Sequence, residues 1–235
     1  MSQPIAILSA SRTPMGGMMG SLADVSAPEL GAVAIRAAMA QSGLDNSQID
    51  EVLMGCVLSA GLGQAPARQA ALAAGLAQST ACTTINKVCG SAMKSIMMAS
   101  NALRAGQASA VVAGGMESMS RAPYLIPQGR QGYRFGHGQL LDHMQFDGLQ
   151  DAYQGVAMGL FAEKCAGKYT FTREMQDAYA IESGHWYFDL NQITGIYTVL
   201  NVPLDEILFF IVIPICAILT FEAVRAIRPD LESKK

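Results

Sequence analysis

Over the first 183 residues the hydrophobic and polar positions follow two rhythms, with short β-branched runs alternating with Ala-rich stretches of helical spacing and Gly turns between them. Residues 5–10 predict a first buried strand, and Arg12-Thr13-Pro14 with Gly16-Gly17 predict the turn that leaves it. Ser26-Ala27-Pro28-Glu29 places an N-cap serine before a proline and a glutamate, so a helix is expected from there to about Gln41. A second strand is expected over 49–57 and a second helix over 66–74. Residues 83–86 read as a third strand, 87–91 as a tight turn, 92–104 as a helix with a Met-rich stripe, and 109–113 as a strand running into Gly114-Gly115. This alternation predicts an α/β fold. Alanine and glycine on the helix faces let neighbours approach closely, which predicts helices held between layers rather than at the surface.

Beyond Gly184 the pattern breaks. Ile207 to Phe221 is a run of fifteen residues without formal charge. A membrane-spanning helix needs about 20 mainly apolar residues, and the run reaches that length over 204–224 only by admitting Asp205, Glu206 and Glu222. Pro214 is tolerated better in a membrane helix than in a water-exposed one. Arg225, Arg228, Lys234 and Lys235 follow, and the positive-inside rule would leave the C-terminus in the cytoplasm. Two readings stay open: a membrane contact through 204–224, or a buried helix of a globular core.

Composition narrows the classes. Of 235 residues 51% are apolar and only 15% charged, so intrinsic disorder is excluded. Sixteen Lys and Arg stand against nineteen Asp and Glu, a net charge of -3, which supplies no basic field for nucleic acid. The five cysteines, at 56, 82, 89, 165 and 216, form no CxxC pair, so free thiols in a reducing compartment are expected, with neither zinc nor disulfides. The apolar run 5–8 is too short for a signal peptide, and the expectation is a cytoplasmic protein, anchored at a membrane if 204–224 spans.

Cys89 carries the strongest chemical signal. It sits where a strand turns into a helix, and Gly90 and Ser91 leave room for a substrate carbonyl. Backbone N–H groups at a helix start carry about half a unit of positive charge and favour a thiolate. The competing reading is a buried structural cysteine. Cys56, Cys82 and Cys165 lack the setting and are expected in the core or as filler without a chemical role.

Here the sequence resembles the N-terminal half of the thiolase family, acetyl-CoA acetyltransferases and 3-ketoacyl-CoA thiolases. The resemblance is carried by Ala10-Ser11-Arg12-Thr13-Pro14, by Asn86-Lys87-Val88-Cys89-Gly90-Ser91-Ala92-Met93-Lys94, and by Gly114-Gly115-Met116-Glu117-Ser118-Met119-Ser120. Asp147-Gly148-Leu149, Met158-Gly159 and Gln176-Asp177 follow in order. It implies a layered mixed sheet with Ala-rich helices, and Cys89 as the nucleophile that takes an acyl group from acyl-CoA or acetyl-CoA as a thioester. It further implies the Cys89 N–H as one oxyanion donor, Met158 in the acyl pocket, and 120–183 as a loop domain over the CoA. Tyr133, Arg134, Phe135 and Lys164 would meet phosphate or adenine there, or form a solvated face. CoA thioester enters as substrate, no separate cofactor is implied, and family members are homo-oligomers. The family's activating histidine and its second, Cys-x-Gly cysteine have no counterpart in this chain: His137, His143 and His185 match neither, and Ala157 stands where many members carry a histidine.

The tail resembles part of a lycopene cyclase domain, through His185-Trp186-Tyr187-Phe188-Asp189, Gly195-Ile196, Pro203-Leu204-Asp205-Glu206-Ile207-Leu208-Phe209-Phe210 and Thr220-Phe221-Glu222-Ala223-Val224-Arg225. That family protonates a double bond of lycopene, for which Asp205 and Glu206 would be the acids, unless they only mark the interface end of a helix. The expected organisation is 1–119 as an N-terminal α/β domain, 120–183 as a loop domain and 184–235 as a cyclase-like membrane segment. Three functions remain: a thiolase-type acyltransferase, truncated and weak or inactive alone; a fragment of a membrane cyclase of carotenoid synthesis; or a non-catalytic fusion product.

Overall fold

The computed structural model describes residues 4–182. The chain divides at Leu160 into two compact units. The first is built on a three-stranded parallel sheet of β1 (Glu51–Gly55), β2 (Ala81–Ile85) and β3 (Val111–Gly115), with β1 in the centre. In register, Glu51 faces Ala81 and Val111, and Gly55 faces Ile85 and Gly115. Among the described residues these three strands are all parallel.

Three helices accompany it: α1 (Ala27–Ser42), α2 (Pro66–Ala73) and α3 (Ser91–Arg104). α1 starts where the sequence signal places it. Ser26 is the N-cap, Glu29 reaches back to the Ser26 N–H at 2.8 Å, and Gly43 closes the helix in the left-handed region. α2 carries the crossover from β1 to β2 on one side of the sheet, and α3 carries the return past β1 to β3. Because the two crossovers run in opposite directions and share one hand, α2 and α3 lie on opposite faces.

Strand alternation serves both faces. Val52, Met54 and Cys56 join Ala27, Ala32, Ile35 and Met39 of α1 and Ala67, Ala70 and Ala71 of α2 in one buried cluster. Leu53 and Gly55 point the other way, toward α3. A Cβ on Gly55 would lie 2.7 Å from the Ser91 carbonyl carbon and from the Ala92 nitrogen, and one on Gly115 would lie 2.7 Å from the Ala92 Cβ. Only glycine at the ends of β1 and β3 lets α3 settle so close to the sheet.

One side of α3 is left open among the described residues. Ser91, Ser95 and Ala99 form its buried stripe, while Met93, Ile96 and Met97 on the other side are 69%, 54% and 52% exposed. The Met-rich stripe thus faces outward. Residues 5–10 also differ from expectation: they form no strand, and Ile7 and Leu8 are exposed. Their apolar run is extended but unpaired with any described strand, and a strand without a ladder has no register. The one side-chain tie there is Ser9 Oγ donating to the Ala38 carbonyl at 2.8 Å.

After β3 the chain forms a short antiparallel pair, β4 (Tyr124–Leu125) with β5 (Leu141–Asp142), and a wide helical turn at Met144–Leu149. The division falls in the first turn of α4 (Gly159–Tyr169), and the second unit holds the rest of that helix and α5 (Arg173–Glu182). Within it Tyr169 stacks on Phe171 with ring centroids 5.8 Å apart, and Arg173 pairs with Asp177 one turn on. Among the described residues no helix is long and apolar enough to cross a membrane. The lycopene cyclase-like segment, the run 204–224 and the candidate acids Asp205 and Glu206 lie outside the described residues.

Candidate active site

Cys89 stands at the carboxyl end of the parallel sheet, between β2 and α3, where open α/β sheets place their ligands. The turn that presents it is built from its neighbours. Asn86 Oδ1 accepts the Val88 N–H at 3.0 Å, an Asx turn. The Ser91 hydroxyl accepts the Lys87 N–H at 2.8 Å and donates to the Val88 carbonyl at 2.6 Å. The Gly90 N–H closes on the Lys87 carbonyl at 3.0 Å, and the Ser91 N–H on the Val88 carbonyl at 3.0 Å. Val88 has a φ of 48°, a left-handed conformation that a β-branched residue seldom adopts. Gly90 is the N-cap of α3, so Cys89 sits just ahead of the helix start.

The described cysteines separate by environment. Cys89 is exposed, against the alternative of a buried structural cysteine. Cys56 is buried, and desolvation, the Glu117 charge and its bond to Glu117 push its thiol up to about 12. Cys82, half-buried, is also raised, chiefly by burial. Cys165 is exposed on α4, a helix that buries no residue, so of core and filler it takes the second place. Burial thus disfavours the thiolate at Cys56 and Cys82, and Cys89 is the exposed thiol that stands at a strand-to-helix turn.

Met158 precedes α4, donates its N–H to the Leu149 carbonyl at 2.9 Å and has a half-exposed side chain. No hydrogen bond joins it to the Cys89 turn. Tyr133 and Phe135 lie at the surface, with the Tyr133 hydroxyl donating to the Gln139 carbonyl at 3.1 Å. Lys164 Nζ is 5.6 Å from the Phe161 ring centroid within the second unit. Cys89 lines neither the cavity of about 230 Å³ between Ser26, Gln69, Arg121 and Pro123 nor that of about 570 Å³ beside Met39 and Leu44.

Two polar residues that the motifs leave without a role organise the loop leaving β1. Glu117 accepts the N–H groups of Val57 at 2.8 Å and Leu58 at 3.0 Å. His143, only 5% exposed, accepts the Ala60 N–H on Nε2 at 3.3 Å and meets Asp147 through Nδ1 at 2.5 Å. The i,i+4 spacing of His143 and Asp147 is visible in the sequence; the tie to Ala60, 83 positions away, is not.

A family model described as the thiolase N-terminal domain matches residues 5–187. The chain belongs to the thiolase family. Among thiolase relatives, the acetyl-CoA acetyltransferase of Saccharomyces cerevisiae is 54% identical over 185 residues, covering 78% of this chain and 46% of the relative. The acetyl-CoA acetyltransferase of Pseudomonas aeruginosa is 51% identical over 181 residues, with 77% and 46% covered. A crystal structure of a thiolase from Ascaris suum in complex with coenzyme A superposes with a TM-score of 0.70 at 48% identity, covering 76% of this chain and 46% of the other. The chain therefore spans less than half the length of these thiolases.

Proposed function

We propose that this chain supplies the nucleophile of a thiolase-type acyl transfer, with Cys89 taking an acyl group from acyl-CoA. The observation that carries the reading is an exposed thiol at the β2–α3 turn, in a chain about half identical to acetyl-CoA acetyltransferases over most of its length. Support for the donor comes from the Ascaris suum relative, whose structure holds coenzyme A.

In the first half-reaction Cys89 Sγ attacks the carbonyl carbon of the acyl thioester, and an oxyanion forms on the carbonyl oxygen. The Cys89 N–H is one donor for that oxyanion, and a missing donor typically slows such chemistry by about 10² to 10³. The C–S bond to CoA then breaks, and the CoA thiolate recovers the proton that Cys89 gave up. Met158 is assigned to the acyl pocket on the same resemblance. No histidine of this chain occupies the activating position, so the base is solvent or a group supplied from outside the chain, and acylation by the chain alone is slow. Acyl-CoA is the substrate, and no further cofactor takes part.

Incubation with radiolabelled acetyl-CoA tests this. Label on the wild type that is absent from Cys89→Ala supports it. An unlabelled wild type whose Cys89 still reacts with iodoacetamide overturns it.

A further inference from the structure

We infer that Ser91 is a positioning residue for acyl transfer, acting through its hydroxyl on the Val88–Cys89 peptide; the inference rests on the acyltransferase reading above. The start of α3 departs from the ordinary serine cap. Serine ordinarily caps a helix from the N-cap, its side-chain oxygen accepting from the N–H groups of the first turn. In α3 the N-cap is Gly90, and Ser91 sits one residue inside. Its hydroxyl reaches backward instead, accepting from the Lys87 N–H at 2.8 Å and donating to the Val88 carbonyl at 2.6 Å. A hydroxyl can do both at once, whereas no apolar side chain of similar size can do either.

The Val88 carbonyl is thereby held twice, by the Ser91 hydroxyl and by the Ser91 N–H at 3.0 Å. The peptide unit is planar and trans, so fixing the direction of the Val88 C=O fixes the opposite direction of the Cys89 N–H. That N–H is the group assigned to the oxyanion. The grip also retains Val88 in its left-handed backbone at a φ of 48°, from which a β-branched residue would otherwise relax. Ser91 itself cannot drift. It is 5% exposed, and a Cβ on Gly55 would lie 2.7 Å from the Ser91 Cβ, so β1 forms a floor directly beneath it.

The test compares wild type, Ser91→Ala and Ser91→Thr in the full chain. Three readouts are taken: the concentration dependence of Cys89 acetylation by acetyl-CoA, alkylation of each cysteine by iodoacetamide, and hydrogen exchange at the Lys87 amide. Ser91→Ala is expected to lower the maximal acetylation rate by about tenfold or more with little change in half-saturating acetyl-CoA, the signature of a group that matters in the transition state. Alkylation of Cys89, which needs only an exposed thiol, is expected to stay within about threefold. Lys87 exchange is expected to rise by about tenfold as its acceptor is lost. Ser91→Thr, which keeps the hydroxyl, is expected to restore both acetylation and exchange protection.

Buried Cys56 reports folding: if it becomes reactive in Ser91→Ala, Ser91→Gly is read in its place. Wild-type acetylation in a folded Ser91→Ala, or a Ser91→Thr as slow as Ser91→Ala, overturns the proposal. An unlabelled wild type sinks the acyltransferase reading alone. The exchange measurement involves no acyl donor and then decides whether the hydroxyl holds the turn, equal Lys87 exchange in wild type and Ser91→Ala overturning it.

Discussion

The Cys56 thiol donates to Glu117 Oε1 at 3.6 Å, across 61 positions of sequence. The same carboxylate takes the N–H groups of Val57 and Leu58, so three donors from the end of β1 converge on one side chain from the end of β3. Glu117→Ala leaves those donors without their acceptor. Hydrogen bonds to a charged partner contribute about 1.5–3 kcal/mol each at most, and a half-buried site delivers less, so a loss of about 2 kcal/mol overall is expected. Thermal unfolding should then fall by about 4–8 °C for a domain of this size. An unchanged melting temperature would count against Glu117 as the clasp of this loop.

Cys56 also sets a pH dependence. Its folded value, pushed up to about 12, lies above the unfolded thiol, so the folded chain binds the extra proton. The associated stability is fully present below the unfolded value, about 8.5, and is lost as pH rises from there toward the folded one. Urea midpoints measured across the alkaline range should fall more steeply for wild type than for Cys56→Ala. Parallel curves would show that Cys56 contributes nothing.

Asp50 gives the opposite sign. Its carboxylate accepts the N–H groups of Ser109 at 2.7 Å and Ala110 at 3.2 Å, and these backbone bonds hold its value below the ordinary carboxylate range. Its stabilisation is present above the unfolded value and is lost as pH falls through the lower folded one. Asp50→Asn should therefore weaken the chain near neutral pH and flatten its acid-unfolding profile, which circular dichroism against pH would record.

Gly55→Ala should disturb the site from below. Its new methyl would meet Ser91 and Ala92 at 2.7 Å, against backbone that cannot swing aside. Overpacking of this kind costs about 1–3 kcal/mol, so the urea midpoint should drop, and acetylation of Cys89 should slow as the start of α3 lifts. Normal acetylation in a destabilised variant would separate the helix position from the chemistry.

The outer face of α3 is open to a surface experiment. Met93, Ile96 and Met97 form an apolar patch beside the Cys89 turn. Replacing Ile96 with Glu and Met97 with Lys should reduce the fluorescence of bound anilinonaphthalene sulfonate and increase recovery of unaggregated chain. Unaltered fluorescence would place the dye elsewhere.

The local elements were legible because their signals are local. Ser26 is the expected N-cap, Pro66 opens α2, and the strands expected over 49–57, 83–86 and 109–113 form at 51–55, 81–85 and 111–115. The Cys89 turn was legible for the same reason, since Asn86, Gly90 and Ser91 all act within five residues of the thiol. What escaped depended on distant partners. Among the described residues, positions 5–10 carry a strand's pattern but have no ladder and the apolar stripe on α3 is uncovered, while Glu117 and His143 act on a loop some sixty to eighty positions away. An apolar stripe states that a face prefers to be covered and is silent about what covers it.

Because the exposed thiol stands just ahead of the helix that carries the apolar stripe, nothing among the described residues would shield an acyl group on Cys89 from water. Hydrolysis then competes with transfer to any second acceptor, returning the free thiol and a carboxylate. Whatever shelters the outer flank of α3 therefore governs how long the acyl group survives, even if it never touches the sulfur.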